Sequence, residues 1–285
     1  MTISIHPRTT LFSALKPHLK GLLAGAVSGA VIAAGIAYMI PKQWPATMLL
    51  QVGQIGSSEN LLADPNNVAQ RVKFPGFVSQ VLQAQGLPVD EALSARSALI
   101  KKSMAASIAK GGNLLEMSVK GRSPAEAKQN LLAAFQVLQA EHAELLLPSV
   151  TRLEKNLADA RLSLQKIDSE RSAILEPIKR VNSAATIERK FSESILLASL
   201  LKSSDAEMRL FRDQINTYDE QLSPYRTFNT KAVAPVYVPK NPVYPKKSIA
   251  VAAGLLLGFL LAGVTALVRD KKLRAMLAGA LHEKP

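Results

Sequence analysis

Two long runs without a charged residue constrain this chain more than any other feature. Residues 21–40 read GLLAGAVSGAVIAAGIAYMI, and residues 248–268 read SIAVAAGLLLGFLLAGVTALV. A helix rises about 1.5 Å per residue, so each run is long enough to cross the roughly 30 Å hydrocarbon core of a membrane. Only a helix satisfies its own backbone polar groups there as a single segment. The sequence therefore predicts two transmembrane helices, one near each end of the chain.

Each run has one alternative interpretation. The first follows the basic residues Arg8, Lys16 and Lys20, as a signal peptide would. Its apolar part is longer than the usual core of about 7–15 residues, which favours an uncleaved anchor. The second run is also compatible with a buried core helix, but its length and the basic cluster that follows it favour a membrane span.

The charges beside the two runs predict the topology. Residues 1–20 carry three Lys or Arg and no acidic residue, and residues 269–285 carry five against two. Short basic flanks stay in the cytoplasm, while long loops are translocated largely regardless of charge. Both tails are therefore predicted to be cytoplasmic, with residues 41–247 in the periplasm beside a bacterial inner membrane.

Composition excludes several classes of function. The net charge is +13, but the two tails supply about half of it, aromatic residues make up only 5%, and no nucleic-acid-binding motif occurs. A nucleic-acid partner is therefore not predicted. The chain has no cysteine, which excludes disulfides, thiol chemistry and Cys-ligated metal sites.

The middle of the chain has the mixed patterning of an α+β domain. Period-two alternation predicts a small sheet, and 3.6-residue periodicity predicts helices around it. Residues 53–66 are predicted to be a polar loop, and Asp90 is predicted to cap a helix. The predicted strands are 46–52, a hairpin over 104–119 with its turn at Lys110-Gly111-Gly112-Asn113, and 233–238; the predicted helices are 74–85, 90–101 and 123–148.

Residues 149–223 carry the clearest periodicity, a 3-4 spacing typical of coiled-coil seams. It predicts two long protruding helices, about 149–176 and 184–222, with Pro177 kinking or ending the first. The contacts made by this seam are either those of an intrachain helical hairpin or those between subunits. The residues concerned are Leu153, Leu157, Leu164, Phe211 and Ile215.

Small residues recur every fourth position in both apolar runs. They are Gly21, Gly25, Gly29 and Ala33 in the first, and Ala250, Gly254, Gly258 and Ala262 in the second. This spacing lets helix backbones approach closely, so transmembrane packing is predicted at Gly21, Gly25, Gly29, Gly254 and Gly258. Glycine and alanine are also simply common in such helices.

A Pro-rich segment, residues 234–247, precedes the second run. Pro235, Pro239, Pro242 and Pro245 fix an extended, semi-rigid course. The segment is interpreted either as a stiff linker or as a contact surface for a partner.

No chemistry-bearing motif was found. There is no GxxxxGK[ST], GxSxG or HExxH, and His142 is the only histidine between the two runs. No catalytic residue, cofactor or metal site is predicted.

At this point the layout resembles the polysaccharide co-polymerases, in particular the Wzz-type chain-length determinants. The resemblance covers nearly the whole chain as an architecture, and it rests on three degenerate motifs that occur in the same order. These are Trp44-Pro45-Ala46 leading into a strand after the first run, the passage 117–127 with Ser123-Pro124-Ala125-Glu126, and the Pro-rich approach from Ala234 through Pro245-Lys246-Lys247 to Gly254, Gly258 and Arg269.

The resemblance implies a non-enzymatic protein of the inner membrane that regulates the chain length of a surface polysaccharide such as O antigen. It implies a ring-like homo-oligomer acting with an integral-membrane polymerase that extends a polyprenyl-linked glycan. The Pro-rich segment and the glycine faces would couple the ring to the polymerase. Lys42, Lys246 and Lys247 would meet the pyrophosphate of the lipid carrier, although ordinary interface snorkelling explains them too.

Three other functions compete with this one. The chain is also interpretable as a membrane adaptor that activates a capsule tyrosine kinase, or as a component of a capsule exporter. Periplasmic adaptors of efflux or secretion systems use coiled-coil hairpins as well, but usually have one anchor, so the second span disfavours them.

Overall fold

The computed structural model describes residues 19–109, 114–180 and 187–269. Both predicted tails, apart from residues 19–20 and 269, lie outside the described residues. So do the predicted hairpin turn and residues 184–186 of the second predicted arm. The chain divides into two compact units. The helix-pair unit comprises Met1–Pro45, Arg122–Pro124 and Pro239–Pro285, and the sheet unit comprises Ala46–Gly121 and Ala125–Val238.

The helix-pair unit is built on two apolar helices. Helix α1 spans Leu19–Met39 and helix α7 spans Lys247–Arg269. Both are long and apolar enough to cross a membrane, and most of each helix is not buried in the structure. A core helix of a soluble protein would be covered, so this exposure fits lipid contact.

Four strands form the sheet within the described residues. They are β1 (Trp44–Gln51), β2 (Ala105–Ile108), β3 (Leu114–Gly121) and β4 (Lys231–Ala232), in the order β2-β3-β1-β4. Strands β2 and β3 are antiparallel, with Ala106 opposite Met117. Strands β1 and β4 are also antiparallel, with Leu50 opposite Ala232. In β1, Ala46, Met48 and Leu50 are buried, as expected for a strand with one covered face.

Three short helices lie in the sheet unit, two of them packed on the sheet and the third packed on those two helices. They are α2 (Pro65–Lys73), α3 (Pro75–Ala84) and α4 (Ala95–Ser103). Helix α2 packs on β2 and helix α4 on β3. The largest fully buried side chains are apolar: Leu50, Val52, Val72, Phe77, Val81, Leu82, Ile100, Leu115, Met117 and Val119, with Leu131 and Leu138 from the next helix.

Two of the short helices differ from the prediction. Helix α2 begins where a loop was predicted, because Asp64 caps it by accepting a hydrogen bond from Asn66 N, and Pro65 occupies its first position. Helix α4 begins later than predicted. Asp90 accepts a hydrogen bond from Ala92 N in a turn, and the helix cap is Ser94, which accepts from Ser97 N.

The two longest helices are α5 (Pro124–Arg180, 57 residues) and α6 (Ile187–Leu222, 36 residues). Helix α5 is about 85 Å long at the helical rise. The helix continues through Pro148, where its end was predicted, and through Pro177, where a kink or a break was predicted. A helical proline costs roughly 3 kcal/mol, and side chains that α5 buries on both sides of Pro148, such as Leu138 and Leu157, offset that cost.

The last predicted strand is also corrected. Only Lys231–Ala232 forms a strand there, and Tyr237 makes an isolated antiparallel bridge with Thr47. Proline has no N–H to donate, so Pro235 interrupts the pairing between those two points. The predicted fold class is nevertheless confirmed: two apolar helices flank, in sequence, an α+β domain with a small sheet and long paired helices.

Candidate functional site

The backbones of α1 and α7 approach each other closely at their glycines. A Cβ atom added at Gly25 would lie 2.5 Å from Ala262 Cβ, and one at Gly254 would lie 2.5 Å from Gly29 O. One added at Gly258 would lie 3.0 Å from Gly29 Cα. These separations leave no space for a side chain, so the structure brings Gly25, Gly29, Gly254 and Gly258 together in a single helix–helix contact.

Gly21 departs from that pattern. A Cβ atom at Gly21 would meet nothing within 4 Å, and the same is true of Gly35 on the same helix. The four-residue spacing in the sequence therefore identifies the face of α1 but not where the contact with α7 stops.

The Pro-rich segment forms an antiparallel partner to the chain around β1. In the sheet unit, Val233 N donates to Leu49 O and Tyr237 N donates to Thr47 O, both at 2.9 Å. In the helix-pair unit, Val243 N donates to Gln43 O at 2.9 Å. The prolines Pro235, Pro239, Pro242 and Pro245 fall between these paired residues. The segment is thus held by backbone hydrogen bonds at its non-proline positions.

A basic cleft lies where α7 begins. Its volume is about 460 Å³, and its lining includes Lys42, Lys246 and Lys247 together with Tyr38 and Asn241. Lys247 Nζ lies 4.1 Å from the centroid of the Tyr38 ring, a cation–π contact. The structure therefore gathers the three lysines singled out in the sequence around one cavity. No sequence pattern indicated that Tyr38 and Asn241 line the same cavity.

The long helices pair within the chain. Arg161 on α5 forms an ion pair with Asp219 on α6 at 3.0 Å, and Arg171 forms one with Asp205 at 2.9 Å. These two pairs run in opposite directions along the two helices, so α5 and α6 are antiparallel neighbours. Of the seam residues, Leu157 is buried, while Leu153, Leu164, Phe211 and Ile215 are half-buried.

The apolar side chains of α6 do not all face this seam. Four large ones in its first half are exposed: Phe191, Ile195, Leu196 and Leu200. On α5, Leu162 is exposed as well. The helix pair therefore has an apolar surface that α5 and α6 do not cover for each other.

His142 is a buried polar group on α5 that the sequence did not distinguish from a surface residue. Only 4% of it is exposed, and its Nδ1 forms a short hydrogen bond with Thr230 Oγ1. Thr230 Oγ1 also accepts from Gly53 N at 3.0 Å. Burial lowers the pKa of His142, and the nearby carboxylate of Glu141 opposes that shift. The neutral imidazole is therefore the form that fits this position.

Within residues 19–109, 114–180 and 187–269, no three His, Asp or Glu side chains are placed to hold a metal ion. The described residues provide a close contact between α1 and α7, an exposed apolar surface on α6 and a basic cleft.

No protein-family model matches this chain, and no curated protein does. Solved structures do resemble it. A full-length bacterial polysaccharide co-polymerase is 16% identical, and the match covers 93% of this chain and 97% of that one at a TM-score of 0.41. The wild-type O-antigen chain-length regulator WzzBSF of Shigella flexneri is 14% identical over 70% of this chain and 99% of that one, at a TM-score of 0.22.

A third structure is a Wzz dodecamer, 12% identical over 71% of this chain and 99% of that one, at a TM-score of 0.23. These similar proteins are Wzz regulators and a polysaccharide co-polymerase, the same family that the sequence resembles. Identities and TM-scores this low transfer neither a function nor a partner to this chain.

Proposed function

We propose that this chain is a non-enzymatic regulator of the chain length of a bacterial surface polysaccharide, such as O antigen. It would act as an inner-membrane homo-oligomer together with the polysaccharide polymerase. One observation carries the proposal: two apolar helices in backbone contact flank a domain whose 57-residue and 36-residue helices pair with each other. The three motifs of the sequence resemblance occur in order along this same layout.

The proposed location is the inner membrane, with both termini in the cytoplasm and residues 41–247 in the periplasm. The support is the exposure of α1 and α7 together with the basic, short flanks in the sequence. A domain in the periplasm would meet the glycan on the side of the membrane where surface polysaccharides are assembled.

The proposed assembly is a ring-like homo-oligomer. Exposed apolar side chains on α6 support it, because soluble helices rarely leave residues such as Phe191, Leu196 and Leu200 in water. The seam residues Leu153, Leu157, Leu164, Phe211 and Ile215 would hold the intrachain hairpin, and the exposed side chains of α6 would contact the neighbouring subunit.

The proposed contact with the polymerase is the Pro-rich segment. Tyr237, Val243 and Tyr244 are exposed apolar side chains on this stretch, and backbone hydrogen bonds hold it in place. The glycine faces of α1 and α7 are less suited to that role than the sequence suggested, because in the structure they contact each other.

The test is a gel of surface polysaccharide from a deletion strain beside the complemented strain. The expected result is a modal ladder that becomes random and short-biased on deletion and returns on complementation. Polysaccharide that disappears or stays inside the cell would favour the exporter or the kinase adaptor. An unchanged ladder in a strain without a second length regulator would contradict the proposal.

A matched pair of variants tests the oligomer separately. Leu196→Glu places a charge in the exposed apolar surface of α6, and Ser203→Glu places the same charge at an exposed polar position of the same helix. We expect Leu196→Glu to reduce the oligomer mass in light scattering and to shorten the modal glycan. Equal behaviour of the two variants would assign the subunit contact elsewhere.

A further inference from the structure

The cleft at the start of α7 combines several cations with a complete lack of acidic residues. No Asp or Glu occurs in residues 1–58 or in residues 221–269. Every described residue of the helix-pair unit falls in these stretches or in Arg122–Pro124. Lys42, Lys246 and Lys247 therefore share one cavity in a unit whose described residues provide no carboxylate to neutralise them.

Like charges held close together repel one another unless an anion lies between them. Here the three lysines come from two separate parts of the chain, since Lys42 follows α1 whereas Lys246 and Lys247 precede and begin α7. The Tyr38 ring positions the ammonium group of Lys247 at 4.1 Å. Backbone hydrogen bonding between Gln43 and the Val243–Tyr244 pair keeps the two chain segments side by side. The positive charges are thus brought together by the fold rather than by adjacency in sequence alone.

The polar groups around the cleft suit a phosphate. Lysine binds phosphate oxygens as a point charge with three N–H donors. The side chains of Asn241 and Ser248 line the same space and add an amide donor and a hydroxyl donor. The volume of about 460 Å³ is within the range of roughly 300–1,000 Å³ for ligand pockets. The apolar residues Ala37 and Ile40 line the same cleft.

We propose that this lysine cleft binds the phosphate group of an anionic ligand at the membrane surface. The apolar side and the position at the ends of α1 and α7 place it at the depth of lipid head groups. The source of the phosphate is either a lipid, such as phosphatidylglycerol or a polyprenyl diphosphate, or a free anion such as inorganic pyrophosphate. This inference does not depend on the proposed control of glycan length.

Ordinary snorkelling of lysines toward water is the competing explanation, and Lys240 separates the two. Lys240 belongs to the same basic, acid-free stretch, but it does not line the cleft. If the attraction is diffuse, each lysine near the membrane contributes about equally to the affinity for an anionic ligand. If a phosphate is bound in the cleft, the affinity depends only on the lysines that surround it.

The experiment uses the full chain in detergent, with native mass spectrometry to count bound ligand. Phosphatidylglycerol, a polyprenyl diphosphate and inorganic pyrophosphate are titrated separately, with phosphatidylcholine as the zwitterionic reference. We expect one anionic ligand per chain. A charge near an anionic surface contributes about 1 kcal/mol, so each Lys→Gln change at position 42, 246 or 247 should weaken binding about fivefold. The triple variant should weaken it about a hundredfold.

The control Lys240→Gln should leave binding unchanged. If a lipid binds and inorganic pyrophosphate does not, the source of the phosphate is the membrane. If only inorganic pyrophosphate binds, the source is a free anion. Equal losses for Lys240→Gln and Lys246→Gln would overturn the proposal in favour of diffuse attraction. Binding of none of the three phosphates in a lysine-dependent way would overturn it as well. The elution volume of each variant should match that of the original chain, which shows that a loss of binding is not a loss of folding.

Discussion

The chain contains two pairs of long helices that pack in opposite ways. In the pair α1–α7, glycines bring the backbones together, and large side chains such as Val31 and Leu261 are exposed. In the pair α5–α6, large side chains such as Leu157 and Met208 are buried, and charged residues are exposed.

The difference follows from the solvent that each pair is suited to. Lipid tails are as apolar as leucine, so burying leucine between membrane helices gains little, and close backbone packing becomes the main source of attraction. In water, burying a leucine removes apolar surface from the solvent, and the large side chains turn inward. The two pairs should therefore fail for different substitutions.

The largest effect is expected from Gly29→Leu. The new side chain would meet the backbone of α7, with Gly258 Cα only 2.8 Å from the new Cβ, and backbone cannot move aside as a side chain can. Overpacking of this kind costs about 3 kcal/mol, or roughly a hundredfold in the association of the two helices. Because the chain has no cysteine, Leu22→Cys with Gly263→Cys provides a pair for a short thiol crosslinker.

Gly35→Leu is the control for that experiment, since nothing lies within 4 Å of its Cβ. Crosslinking should be lost in Gly29→Leu and retained in Gly35→Leu. Retention in both would show that the glycine contact does not hold the helices together.

Leu157→Ala should be the most damaging single change in the water-exposed pair. Truncating a buried leucine costs 2–5 kcal/mol in a closed core, and about 2 kcal/mol is expected here because the seam of a two-helix pair is open on both sides. The measurement is the free energy of unfolding, or hydrogen exchange of the α5 amides. Leu162→Ala, at a position 64% exposed on the same helix, should change it by less than about 0.5 kcal/mol.

A third kind of contact is the buried hydrogen bond between His142 on α5 and Thr230. The folded-state pKa of His142 is below its unfolded value, so the unfolded chain binds more protons. Stability is then greatest above pH 6.5 and falls as the pH decreases toward the folded-state pKa, by at most about 1.4 kcal/mol per pH unit. Glu141, which pairs with Arg71, reduces the slope.

In His142→Gln, the midpoint of thermal unfolding should depend less steeply on pH between about 7 and 5. The same slope in both proteins would mean that His142 does not titrate in this range.

The smallest effect is expected at the ion pair Arg161–Asp219. Both side chains are about half exposed, and such pairs contribute roughly 0.2–1 kcal/mol. Asp219→Asn should lower the free energy of unfolding by about 0.5 kcal/mol at low salt and by less at high salt. A double-mutant cycle with Arg161→Gln isolates the coupling between the two side chains. A coupling that does not weaken with salt would contradict this account.

Both helix pairs could be predicted from the sequence as elements, although not in all their details. Uncharged runs of about twenty residues and a 3-4 spacing are local signals, and both led to the correct elements. Capping was ambiguous locally: Asp64 lies in a segment predicted to be a loop but caps α2, whereas Asp90, which was predicted to cap a helix, accepts a hydrogen bond in a turn. At Pro177, intrinsic propensity predicted a kink or a break, and the helix continues past that position to Arg180.

The remaining features depend on residues far apart in sequence. His142 meets Thr230 across 88 positions, and Lys42 shares a cleft with Lys246 only after α1 and α7 have paired. Spacing within a segment carries no information about such contacts. The glycine spacing identified one face of each apolar helix, but it could not show that a Cβ atom at Gly21 would meet open space.

The contact between α1 and α7 also has a consequence for biosynthesis. Helix α1 leaves the ribosome first, and the chain from residue 40 to residue 246 must follow before α7 appears. At roughly 5–20 residues per second, those ~200 residues take about 10–40 s. During that interval the face of α1 that carries Gly25 and Gly29 has no partner within its own chain, and it is open to the helices of newly inserted neighbouring chains. The contact between α1 and α7 within one chain can therefore form only late in translation, after α7 has been synthesised.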